Sequence, residues 1–142
     1  MHDTVKNLLK ISENVKVKLS TAGNSSNVPR IIAVSKTFKM DHIYPLIDHG
    51  HVDFGENKVQ EAQEKWTKTK EENKNIKLHL IGRLQTNKVK IAVKLFDYIH
   101  SLDSKKLADK ISKCQKEENL KIKMFIQVNI GDEDQKSGIK KK

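Results

Sequence analysis

The chain has 142 residues, enough for one domain with a core of its own and too few for two, and it carries a formal net charge of +10. Such a surplus attracts anions, yet only Arg30 and Arg83 are arginines, and the lysines are interleaved with glutamate, as in EAQEKWTKTKEENK at 61–74. Specific nucleic-acid readout favours the guanidinium fork, so the pattern describes solvated helix surface and argues against a specific nucleic-acid partner.

The single cysteine, Cys114, has no partner for a disulfide or a zinc site, and it shares a helical spacing with Leu107 and Ile111, which predicts a buried thiol in a reducing compartment. No run approaches the roughly 20 apolar residues of a membrane span. The opening MHDTVKNLLK lacks the apolar centre of a signal peptide, so the cytoplasm is expected.

Taken in chain order, Val5, Leu8, Leu9, Val15 and Leu19 predict a helix from Asp3 to about Leu19, and TAGNSSNVPR breaks it. IIAVS (31–35) is a short apolar run that predicts a strand buried on both faces. MDHIYPLIDHGH then reads as a helix with Asp41 as cap, Pro45 in the first turn and Gly50 at the end. The alternation continues with strands HVDF (51–54), KLHLIG (77–82), DYIHS (97–101) and KIKMFIQVNI (121–130). Between them lie helices in ENKVQEAQEKWTKTKEE, whose inward stripe is Val59, Ala62 and Trp66, in TNKVKIAVKLF and in DSKKLADKISKCQKEE.

Strand and helix alternating in this way predict parallel βαβ units. Neither GxGxxG nor GxxxxGK[ST] is present, which removes the main support for a nucleotide-binding open sheet. The strand density is that of a (β/α)₈ barrel, which takes about 250 residues to close. The chain therefore reads as an open five-stranded sheet or as the first part of a barrel. Either way, the carboxyl ends of the strands are where chemistry is expected. Lys36 follows the first strand there. A lysine at a strand end ordinarily snorkels to solvent; on this rim it is expected to lose solvation, which favours a neutral amine able to attack a carbonyl.

The ordered motifs AVSKT (33–37), FGEN (54–57), HLIGRLQTNK (79–88), VNI (128–130) and KSG (136–138) resemble the pyridoxal phosphate homeostasis protein family, whose barrel is similar to the N-terminal domain of alanine racemase. The resemblance implies an α/β fold of the (β/α)₈ TIM-barrel type, here truncated to about the first five βα units, with residues 1–142 forming one domain. It implies pyridoxal 5′-phosphate as cofactor and Lys36 as the lysine that holds it in a Schiff base. Asn57, His79 and Arg83 match family motifs and are expected to contact the cofactor. Ser101 stands on the same rim by topology, with capping of the next helix as its other reading. Leu78 departs from the pattern, which usually has an aromatic before the histidine. Gln85, Asn87 and Lys88 complete the most distinctive run.

The implied function is intracellular pyridoxal phosphate homeostasis without established catalysis. The alternatives are a pyridoxal-phosphate-dependent amino-acid racemase or decarboxylase, for which a second acid/base is missing, and a lysine-rich nucleic-acid-binding protein. The family continues beyond KSG through strands that carry its phosphate cup, so cofactor held by this chain alone is expected to be weak and reversible. No metal is expected, because His49 and His51 straddle Gly50 and point apart. The first and fifth strands would lack barrel neighbours, so self-association through these edges, or a shift of the terminal segments to cover them, is expected.

Overall fold

The computed structural model, which describes residues 1–24 and 26–142, opens with the expected helix: α1 spans Asp3–Thr21, and His2 caps it by accepting from the Thr4 amide. Of the breaking segment that follows, residue 25 lies outside the described residues. No helix of the described residues is long and apolar enough to cross a membrane.

Five strands then form one sheet: β1 (Ala33–Val34), β2 (Asp53–Glu56), β3 (Lys77–Leu80), β4 (Tyr98–Leu102) and β5 (Lys123–Ile126). All neighbours are parallel and the spatial order is β1-β2-β3-β4-β5. A doubly wound sheet reverses its strand order at a switch point, whereas this order never reverses, which is how a barrel wall is built. The intervening helices are α2 (Met40–Asp48), α3 (Val59–Glu72), α4 (Val89–Leu95) and α5 (Lys105–Glu117), with a 3₁₀ turn at Thr86–Lys88 leading into α4.

Strand alternation divides the sheet into two chemically different faces. Phe54, Leu78, Leu80 and Ile99 are fully buried under the helices, and Phe54 packs on Trp66 of α3 at a ring separation of 4.9 Å. The residues between them, Asp53, His79, Tyr98 and His100, touch one another on the concave face. Burying each large side chain of the helix-covered layer contributes about 1.5–3 kcal/mol, so this layer supplies most of the driving force for folding.

Several boundaries differ from expectation. The first strand is not buried on both faces: Val34 is 46% exposed, because β1 is an edge strand and nothing covers its concave side. Pro45 is the sixth residue of α2, past the first turn, and Asp41 bonds the His42 amide while Lys39 occupies the cap position. The fifth strand is divided at Gln127: β5 is followed by β6 (Val128–Asn129), which pairs in parallel with β7 (Ile139–Lys140). The Ile139 amide donates to the Gln127 carbonyl at 2.9 Å, so the terminal segment covers the end of this edge. Residues 123–126 are left open, with Phe125 and Ile126 exposed. The loop between β6 and β7 is tied by Asn129, whose amide donates to the Glu133 and Lys136 carbonyls. Gly138 has φ of 125°, and a Cβ there would lie 2.7 Å from the Asn129 nitrogen, so only glycine closes this loop.

Two polar clusters hold opposite ends of the sheet. Near the carboxyl ends, the Glu56 side chain is wholly buried on the helix side, and its Oε1 accepts from Ser35 Oγ at 2.7 Å, Trp66 Nε1 at 2.9 Å and Lys65 Nζ at 2.7 Å. Near the amino ends, the Asp53 carboxylate accepts from Arg30 and from His79 Nε2 at 2.8 Å. His79 Nδ1 lies 2.9 Å from His100 Nε2, its ring stacks on Tyr98, and Arg30 Nη1 donates to the Tyr98 hydroxyl. Burial works against an ionised Asp53, but the Arg30 and His79 hydrogen bonds prevail and hold its carboxyl below the ordinary 3.8. Burial, with the neighbouring His79, pushes His100 below its ordinary 6.5.

Two outcomes follow from these clusters. Glu56→Leu removes the acceptor for three donors and leaves the enclosed Lys65 with only the Ser35 carbonyl and the more distant Glu61, so urea unfolding should show a loss of about 3 kcal/mol; Glu56→Gln keeps an acceptor and should cost less. For the second cluster, the unfolded chain takes up protons on His100 and Asp53 at higher pH than the folded chain does. Stability should therefore be highest above the ordinary histidine value of 6.5, fall as pH drops below it, and fall again below 3.8. His100→Gln should remove the first decline and leave the second, as read from unfolding midpoints across pH.

Candidate functional site

The rim above the carboxyl ends of β1 to β3 carries Lys36, Asn57 and Arg83. Val34 pairs with Gly55, and the Ser35 amide donates to the Gly55 carbonyl at 2.9 Å. Glu56 pairs with Leu80, and the Ile81 amide donates to the Glu56 carbonyl at 2.9 Å. Lys36 and Asn57 each lie one residue beyond these last bonds, at the same height on neighbouring strands. Ser35 turns its hydroxyl to Glu56 in the helix layer, so alternation assigns the next residue, Lys36, to the concave side.

The backbone around Lys36 is fixed from both directions. Ser35 is bound through its side chain to Glu56 and through its carbonyl to Lys65 Nζ at 2.6 Å. Thr37 has φ of 65°, and its amide donates to Glu61 Oε1 at 2.7 Å. The Lys36 side chain itself is exposed and makes no hydrogen bond or ion pair among the described residues. This corrects the expectation that it loses solvation, because the concave face above β1 is open. The enclosed lysine nearby is Lys65, whose side chain is 14% exposed and fully engaged by Glu56 and Ser35.

Asn57 is half-buried, and among the described residues its side chain makes no hydrogen bond. It does not cap α3, which begins after Lys58 without a side-chain cap. Its backbone is pressed against Gly82: a Cβ at Gly82 would lie 2.2 Å from the Asn57 carbonyl oxygen and 2.8 Å from its Cα. Glycine thus allows the loops after β2 and β3 to touch. Beside that contact opens a cleft of about 460 Å³ lined by Asn57, Lys58, Val59, Gln60, Gly82, Arg83, Gln85 and Lys88.

The remaining two expected residues lie elsewhere. His79 is 3% exposed in the middle of β3, with both ring nitrogens engaged by Asp53 and His100, so it has no free ring atom to offer a ligand. Ser101 is 1% exposed, its Oγ has no partner, and the cap of α5 is Ser104, which accepts from the Leu107 amide. His51 bonds the Asp53 carbonyl through Nε2, and among the described residues no group of three or more His, Cys, Asp or Glu side chains is placed to hold a metal ion.

Sequence reasoning missed the supports of the rim: Glu56, Glu61, Lys65 and the indole N–H of Trp66. One signal was present. A tryptophan on the inward stripe of a helix needs an acceptor for its N–H, and the carboxylate of FGEN, at the end of the strand just before that helix, is placed to supply it.

Comparison with known proteins agrees with this architecture. Residues 7–142 match the family model described as the N-terminal domain of alanine racemase. The pyridoxal phosphate homeostasis protein of Pasteurella multocida is 38% identical over 94% of this chain and 57% of its own length. That of Escherichia coli K12 is 34% identical over 98% of this chain and 60% of its own. PipY of Synechococcus elongatus, solved without pyridoxal phosphate, superposes with a TM-score of 0.74 at 34% identity, over 88% of this chain and 58% of PipY. The same protein has been solved with pyridoxal phosphate bound, with a TM-score of 0.71. The chain therefore spans somewhat more than half the length of these relatives. Strand order, rim and motif match lead to one assignment: this chain belongs to the family of the alanine racemase N-terminal domain.

Proposed function

We propose that this chain binds pyridoxal 5′-phosphate through Lys36 as a Schiff base and takes part in the homeostasis of that cofactor in the cytoplasm. The observation that carries the reading is a primary amine without a partner, mounted on a backbone fixed on both sides, at the height of an amide, Asn57, that is also without a partner. The bound state of PipY and the names of the relatives supply the identity of the ligand.

The residues present fit such a group. When bound, the cofactor supplies an aldehyde that condenses with a primary amine. Lys36 provides that amine, Asn57 can both donate and accept toward a polar ring substituent, and Arg83 adds positive charge to the rim for an anionic ligand. His79 and Ser101 act beneath this layer: His79 ties β3 to β2 and β4 through Asp53 and His100, and Ser101 lies within the buried end of β4. The open edge of β5, with Phe125 and Ile126 exposed, is where two copies would meet if the chain self-associates. Cys114 is a buried free thiol, in keeping with a reducing compartment.

Incubation with pyridoxal phosphate, reduction with borohydride and peptide mapping test the reading directly. Label should concentrate on Lys36 and disappear from that peptide in Lys36→Arg, whose guanidinium keeps the charge and cannot form the imine. Label spread over the lysines in proportion to their exposure would overturn it. Gly82→Ala provides an independent outcome: its Cβ must push the Asn57 backbone away, so the variant should lose about 1–3 kcal/mol of stability in urea. The same change should lower the yield of the Lys36 adduct.

A further inference from the structure

Some cations of this chain are paired close by: Lys68 with Glu72, Lys70 with Asp97, Lys94 with Glu118 and Lys105 with Asp109. Lys58, Arg83 and Lys88 differ. Among the described residues none of the three forms a salt bridge, yet all three line the single cleft of about 460 Å³ behind Asn57, and no acidic side chain lines it. A cleft of this size falls within the range that holds small ligands. Like charges around a common void repel one another until an anion enters.

We propose that this cleft binds a phosphomonoester dianion, with the phosphate held between Arg83, Lys58 and Lys88 and the polar body of the ligand met by Asn57 and Gln85. Phosphate is indicated because the planar guanidinium offers two parallel donors that match its oxygens, and two ammonium groups beside it complete the neutralisation. A small ligand is indicated by what surrounds the cleft. No aromatic side chain lines it, so a nucleic-acid base has nothing to stack on. The neighbouring depressions along the rim carry Lys106, Lys110 and Lys113 as well as Asp103 and Asp109, so positive charge continues beyond the cleft, and it is the missing stacking surface that sets a small ligand apart from an extended polyanion. Lys36 does not line the cleft, but Asn57 and Arg83 are shared with the proposed cofactor site, so the two ligands would compete for them and the cleft is tested with pyridoxal phosphate absent.

The test is a titration followed by amide shifts in ¹⁵N-labelled protein, without pyridoxal phosphate, at about 0.15 M chloride to screen surface charge. The probes are inorganic phosphate, glycerol 3-phosphate and a single-stranded oligonucleotide. Phosphate and glycerol 3-phosphate should move the amides of Gly82, Arg83 and Gln85 saturably. Arg83→Gln should weaken both by about tenfold or more, the usual scale for one charge-assisted contact. Lys113→Gln, which lies in a different depression, should leave them unchanged. The absence of a saturable shift would overturn the proposal, as would equal weakening by both variants, which would mean diffuse charge. Tighter binding of the oligonucleotide than of glycerol 3-phosphate would also overturn it, in favour of a polyanion surface. Because the readout involves no imine, failure here leaves the Lys36 labelling result intact, and failure of that labelling leaves this one intact.

Discussion

The arrangement of the rim depends on one buried carboxylate. Glu56 sits at the last residue of β2 with no solvent exposure, and a charge in that position is costly unless donors surround it. Its three donors come from two places in the chain: Ser35 just after β1, and the adjacent Lys65 and Trp66 about two turns into α3. Engaging Glu56 Oε1 therefore requires β1, β2 and α3 to meet in one register, while Oε2 is buried without a partner among the described residues. The residue next to Ser35 is the lysine, and the residue next to Glu56 is the asparagine. The positions of both reactive-face groups are set by interactions on the opposite face of the sheet.

This division explains why the two ends of the sheet behave differently. At the amino ends, Arg30, Asp53, His79, His100 and Tyr98 use up one another's hydrogen-bonding capacity on the concave face. Polar groups there form a network that joins β2, β3 and β4 to the segment before β1. At the carboxyl ends, Lys36, Asn57 and Arg83 have no partners among the described residues. Functional groups without partners above a satisfied polar layer are the expected layout of a barrel of this type, in which one rim serves chemistry and the other serves stability.

Much of this was legible in the sequence. The alternation of short apolar runs with 3.6-periodic segments located every helix and all five sheet strands, because a parallel sheet covered by helices leaves that double period behind. The position of Lys36 at a strand end was legible for the same reason. Two things were not. Burial of Val34 and solvation of Lys36 depend on what covers the concave face, and that is a property of the whole sheet, which no local pattern in IIAVSK encodes. The role of His79 was hidden because HLIG does not reveal that Asp53 and His100 lie on the flanking strands in register to claim both ring nitrogens. Gly82 was visible as a motif letter, but its reason, the backbone of Asn57 crossing at van der Waals distance, exists only in three dimensions.

Thr37 carries a further implication. A β-branched residue with φ of 65° is disfavoured by roughly 1–3 kcal/mol, and here two hydrogen bonds oppose that cost: the Thr37 amide donates to Glu61, and the Phe38 amide donates to the Ser35 carbonyl at 3.2 Å to close the turn. Glu61 also lies 3.6 Å from Lys65, so the same carboxylate is shared between the turn and the ammonium that anchors Ser35. The turn that presents Lys36 is thus a loaded joint with one side-chain latch, Glu61, beside its backbone bond. A ligand that competes for Glu61, or a change in the charge of Lys65, would let Thr37 relax toward ordinary backbone angles and swing the lysine off its mount, while the strands beneath kept their pairing. Presentation of the amine and integrity of the fold are in this way separable.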